Sequence, residues 1–202
     1  MSFTVKSVRI DASYTLLCAA AICVISGIYK PIFYGITAIA VHEAGHLLAM
    51  FRYGYFPKRI KISLFAIHIA DDARHTRRAK ENFFIIFFGP AANFICVFLF
   101  YLLYLFGRDM WLPFVFANAS VGLLNSLPVM SLDGGQLLYL LLCRRLSGQT
   151  AERVITLLTL IMLIPLAAFG FVVLFQSPGN FSLLFVCGYL LLSLLTRENH
   201  YY

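Results

Sequence analysis

Six apolar runs succeed one another along this chain: residues 12–29, 31–51, 83–106, a long interrupted run over 111–142, then 154–175 and 181–196. A helix of about twenty apolar residues spans the hydrocarbon core of a bilayer. Backbone in lipid must satisfy its own hydrogen bonds, so runs of this length are predicted to be helices. The expected fold is an all-α polytopic membrane protein of about six transmembrane helices. Composition agrees, with 61% of residues hydrophobic and 12% charged, where a soluble domain is about half apolar and about a quarter charged.

The breaks between the runs carry information. Lys30-Pro31 makes a tight turn, with Pro31 placed to open the second helix. Residues 52–82 are the one long polar stretch, and within it residues 59–69 are β-branched and partly alternating (Ile60, Ile62, Leu64). That pattern predicts a small cytoplasmic β-hairpin at the membrane edge. Pro128 and Gly134-Gly135 interrupt the fourth run, and broken helices at membrane depth belong where they line a cavity or pack in protein. Pro165 predicts a kink in the fifth. Lys6 and Arg9 ahead of the first run resemble a signal peptide, but no small-x-small site ends it, so it is expected to remain as an uncleaved span. The reading is a single intramembrane domain over 1–202, its core at about 31–145, with no appended PDZ or nucleotide-binding domain.

The net charge of +7 is explained by topology. With six spans, both termini and the loops 52–82 and 143–153 share one side, which holds 14 of the 16 Lys and Arg and leaves Lys30 and Arg108 opposite. The positive-inside rule then puts both termini in the cytoplasm. This disfavours nucleic acid as a partner and favours contact with anionic lipid. Cys18, Cys23, Cys96, Cys143 and Cys187 lie in or beside apolar runs without metal-type spacing and read as buried thiols.

Chemistry concentrates in Val41-His42-Glu43-Ala44-Gly45-His46. Two histidines four apart share one helix face and can grip one metal ion. Glu43 is placed as general base toward the attacking water. These three are the ionisable residues inside the second run from 31 to 51, and ionisable groups at membrane depth mark function. A catalytic zinc usually takes three protein ligands. Of the nine acids, Glu43 and Asp133 fall inside apolar segments, while His68, His75 and His200 lie in the polar loop or tail. Counting from Arg52 and Arg144 at 1.5 Å per residue sets His46 and Asp133 roughly 9 Å and 16 Å deep, a spacing that allows one site. Structural readings stand beside these: a buried polar pair for the histidines, a helix N-cap for Asp133, and satisfaction of backbone freed by Pro128 for Asn125. Gly89, Pro90 and Asn93 read as packing and helix-bending residues.

Three motifs in order, His42-Glu43-Ala44-Gly45-His46, Gly89-Pro90-Ala91-Ala92-Asn93, and Asn125-Ser126-Leu127-Pro128 followed by Leu132-Asp133-Gly134-Gly135, resemble those of the site-2 intramembrane metalloproteases. The likeness is greatest to the bacterial sporulation branch, which processes a membrane-tethered sigma-factor precursor. The resemblance implies one Zn2+ per chain held by His42, His46 and Asp133. It also implies Glu43 as base and proton shuttle, and Asn125 holding the substrate backbone or the developing oxyanion. Gly45, Gly89, Pro90, Asn93, Pro128 and Gly134 would support the site. Expected partners are a membrane-tethered protein substrate, the lipid bilayer and a regulatory membrane protein, in a bacterial cell membrane. The Leu64-Phe65-Ala66-Ile67 stretch departs from the family in lacking a glycine pair. The other readings are an inactive protease-like scaffold, a metal-binding or transport protein, or a metalloprotease with a downstream glutamate ligand such as Glu81, Glu152 or Glu198.

Overall fold

The computed structural model describes residues 2–5, 8–12, 29–56, 59–62, 67–70 and 77–195. Its contacts divide the chain into two compact units, Met1–Leu123 and Leu124–Tyr202.

The first unit contains a four-stranded sheet in the order β1 (Ser2–Val5), β2 (Val8–Ala12), β3 (Arg59–Ile62), β4 (Ile67–Ala70). β1 pairs antiparallel with β2, with Val5 opposite Val8. β2 runs parallel to β3 with Arg9 opposite Arg59, and β3 pairs antiparallel with β4 with Ile62 opposite Ile67. The strand pattern read at 59–69 thus falls on two paired strands, in a sheet larger than a hairpin. The reason is the N-terminal segment, where Val8, Ile10 and Ala12 alternate with Arg9 and Asp11. That is strand periodicity, and Ala12 ends β2 instead of opening a span. Residues 13–28, where the first span is expected, and 64–66 of the departing stretch lie outside the described residues.

Helix α1 (Tyr29–Arg52) opens with Lys30-Pro31, where a proline in the first turn has no intrahelical bond to lose. It ends at Gly54, whose φ of 76° lets the chain reverse while the Tyr55 amide donates to the Met50 carbonyl at 2.9 Å. Ala38, His42, Gly45 and Ala49 are buried along one stripe, the spacing of a single helix face. That face packs on α2 (Ala79–Leu105). A Cβ on Gly45 would overlap the Phe88 carbonyl oxygen and lie 2.9 Å from the Ala92 Cβ, so the backbones meet closely there. At one end of the pair, Phe114 sits 4.8 Å from Tyr34 and 5.2 Å from Phe100, and Trp111 stacks on Phe100 at 5.3 Å. Aromatics of this kind suit a membrane interface.

Helix α3 (Leu112–Ser126) carries the boundary between the units. In the second unit the chain breaks over residues 127–132 and resumes as α4 (Asp133–Leu142), α5 (Gly148–Gln176) and α6 (Ser182–Leu195). The break is tight because of the glycines after it. A Cβ at Gly134 would overlap the Ser126 and Leu127 carbonyls, and one at Gly135 the Val129 carbonyl. The break is tied to its neighbours by the Met130 amide donating to Thr159 Oγ1 of α5 at 3.0 Å and by a Ser131–Ser193 hydroxyl bond to α6 at 2.8 Å. Val129, Leu163 and Leu190 form the core of this unit. Helix α5 runs continuously through Pro165.

Among the described residues three helices, α1, α2 and α5, are long and apolar enough to cross a membrane, and α6 is a shorter apolar helix. Side chains such as Phe98, Ile164 and Phe185 are largely exposed. Outward apolar surface of this extent is what a lipid-facing helix presents.

Candidate metal centre

Helix α1 sets His42 and His46 one turn apart on its α2-facing side, His42 at 5% exposure and His46 half-buried. Their Nε2 atoms are 3.1 Å apart and the rings meet edge to face. Each Nδ1 is committed elsewhere. His42 Nδ1 donates to Asn93 Oδ1 at 2.8 Å, and His46 Nδ1 donates to the Ile85 carbonyl at 2.8 Å. With both Nδ1 positions protonated, each neutral ring presents its lone pair on Nε2. A shared proton or a shared cation holds two such nitrogens at that distance. Two nitrogens bound to one tetrahedral zinc at about 2.0–2.1 Å stand about 3.3 Å apart, so the pair fits the ion.

Gly89 on α2 completes the cradle, since any Cβ there would overlap the His46 ring and lie 3.0 Å from His42 Cε1. Pro90 follows, buried inside the helix. Asn93 is more than a packing residue. It is fully buried, and its Nδ2 donates to the Ala38 carbonyl at 2.9 Å and to Asn118 Oδ1 at 3.0 Å. Glu43 is half-buried on α1 beside His42.

In the second unit, Asn125 is half-buried in the last turn of α3, Pro128 lies in the break, and Asp133 and Gly134 open α4. Leu132 is the extended residue before that helix, so Asp133 lies within its first turn and does not occupy the N-cap. His42 and His46 in the first unit and Asp133 in the second are side chains of metal-ligand type. Two imidazoles and one carboxylate are a donor set that catalytic zinc accepts.

Two contributors are absent from the sequence-derived set. The Ile85 carbonyl orients His46, and no side-chain identity encodes a backbone acceptor. Asn118, at 1% exposure, holds Asn93. Its signal was present, as an amide in the middle of an apolar helix.

No family model matches the chain. Over 187 residues it is 28% identical to stage IV sporulation protein FB of Bacillus subtilis (strain 168), an alignment covering 90% of this chain and 64% of that protein. The chain therefore spans about 64% of its relative's length. Its fold is similar to that of the site-2 protease from Methanocaldococcus jannaschii, with a TM-score of 0.69, 17% identity, and coverage of 96% of this chain and 94% of that one. The structural likeness shows a shared fold, and α1, α2 and α5 are long and apolar enough to make this an integral membrane protein. The sequence likeness is to a sporulation protein and the likeness in fold is to a site-2 protease.

Proposed function

We propose that this chain is an intramembrane zinc endopeptidase that hydrolyses a peptide bond within or near a transmembrane segment of a membrane-tethered protein. The observation that carries the reading is the tautomer-fixed pair of imidazoles, Nε2 to Nε2 at 3.1 Å, on the helix that also bears Glu43. His42, His46 and Asp133 would hold the ion. Bound zinc supplies Lewis acidity, which makes water a better acid and polarises a carbonyl.

The chain's own residues supply the rest. Glu43 takes the proton of the attacking water and returns it to the leaving amine, so one carboxylate serves both halves of the hydrolysis. Asn125 offers an amide donor toward the substrate backbone or the oxyanion. A substrate helix has its backbone bonds satisfied and must unwind before attack. The unwound strand needs an edge to pair with, and β3 is flanked by β2 and β4. Ile62 therefore does not lie on an edge, and β4 is the candidate for pairing.

The decisive test is Glu43→Gln. The variant should bind zinc as the wild type does and cleave nothing, and membrane-tethered precursors should accumulate in cells carrying it. A Glu43→Gln protein that still cleaved would end the assignment of Glu43. Retained zinc and an unchanged precursor profile with the wild type itself inactive would favour a protease-like scaffold.

A further inference from the structure

Asn118 lies on α3 two helices away from the histidines' own helix in sequence order, yet a single chain of hydrogen bonds joins it to His42. Asn118 Nδ2 donates to the Phe114 carbonyl at 2.9 Å, which leaves its Oδ1 as an acceptor. That oxygen receives Asn93 Nδ2 at 3.0 Å, and the Ala38 carbonyl receives the same Nδ2 at 2.9 Å. With both amide hydrogens of Asn93 spent, its Oδ1 can face His42 only as an acceptor, at 2.8 Å. His42 Nδ1 must then donate, and the lone pair goes to Nε2. Each group has one role left once its neighbour's is set. The network is closed to water, Asn93 being 0% and Asn118 1% exposed. A flipped amide would put two donors face to face with no solvent to relieve them.

We propose that Asn118 is a positioning residue that fixes, through Asn93, the His42 tautomer able to bind the metal. The proposal rests on His42 being a metal ligand, and it concerns the proton's position on that ring, which can be measured without metal. Asn118 touches neither substrate nor ion. Its work is to remove the second orientation of the Asn93 amide.

The experiment uses the full chain in detergent with 15N-labelled histidine. In the zinc-free wild type the His42 nitrogen shifts should report a single tautomer, protonated on Nδ1. Asn118→Leu should give a mixture of tautomers and weaken zinc binding about tenfold, measured by competition with a chelator. Asn118→Asp should restore both readouts to within about twofold of wild type. A carboxyl buried this deeply stays neutral, so its O–H can donate to the Phe114 carbonyl while its other oxygen accepts from Asn93. Loss of stability alone would affect Leu and Asp alike and leave the tautomer of the folded fraction unchanged. Should the leucine variant fail to fold, Asn118→Ala replaces it with the same two readouts. A single Nδ1-protonated tautomer in the Leu or Ala variant overturns the proposal, as does equal weakening by Leu and Asp. A wild type that shows the single tautomer and no zinc binding removes the metal reading and leaves the relay standing.

Discussion

At the scale of single residues, the site depends on what is missing as much as on what is present. His42 and His46 converge because Gly89 has no side chain, and a methyl there would occupy the space of the His46 imidazole. Gly89→Ala should therefore weaken zinc binding about 10–100-fold, the range seen when ligand support is disturbed, in a chelator competition. His46→Ala should drop the metal content of the purified protein from about one zinc per chain to none, measured by elemental analysis. The ligand types and their spacing were legible in Val41-His42-Glu43-Ala44-Gly45-His46 itself, since four residues make one turn. The support for the ring nitrogens was not. The partner of His42 lies 51 residues away and that of His46 lies 39 away, and local periodicity says nothing about pairs that distant.

At the scale of elements, α1 and α2 are held at their polar end by a small cluster. Tyr55, just beyond α1, donates its hydroxyl to Glu81 in the first turn of α2 at 2.7 Å, and the Arg77 guanidinium lies 4.1 Å above the Tyr55 ring. The bond to the Glu81 carboxylate holds the Tyr55 phenol above its ordinary pKa, helped by partial burial. A group whose pKa is raised on folding stabilises below its unfolded pKa and loses that contribution as pH rises through the folded one. Wild type should thus melt above Tyr55→Phe at neutral pH, and the gap should close only in strong alkali, in thermal unfolding in detergent. The break between α3 and α4 makes a second prediction. Gly134→Ala forces a methyl into the Ser126 and Leu127 carbonyls, so it should lower stability by about 1–3 kcal/mol, the cost of overpacking. The sheet supplies a third. A cysteine at Ile69 in β4 should cross-link to a substrate that accumulates with Glu43→Gln, and one at Thr4 in the opposite edge strand β1 should not. Equal cross-linking at both edges would remove β4 as the docking strand.

At the scale of the whole molecule, the proposed orientation follows from charge: Arg52, Arg77, Arg78, Arg144, Arg145 and Arg153 sit at the ends of apolar helices or in the segments between them, on the side assigned to the cytoplasm. Fusions of green fluorescent protein to either terminus should fluoresce, and alkaline phosphatase at the same points should be inactive. The opposite pattern would invert the topology. Removal of metal with a strong chelator should abolish cleavage, and added zinc should restore it, whereas magnesium should not. Apolar runs were readable because lipid demands them continuously along a helix. The N-terminal strands were hidden behind the same composition, since Val8, Ile10 and Ala12 are apolar enough to pass for the start of a span. The pairing of β2 with β3 is decided by a partner about fifty residues away.

Taken alone, the sequence determined that most of this chain belongs in a membrane, and it singled out His42, Glu43, His46 and Asp133 as the candidates for chemistry at depth. Both follow from local rules, namely hydropathy over a helix length and one helical turn between ligands. Tertiary structure decided which nitrogen of each histidine faces the site, that Asn93 serves His42 instead of merely packing, and that Asn118 stands behind it. Those outcomes depend on which donor meets which acceptor once helices distant in sequence are pressed together without water. A buried hydrogen bond has one satisfied arrangement, and only the packed fold selects it.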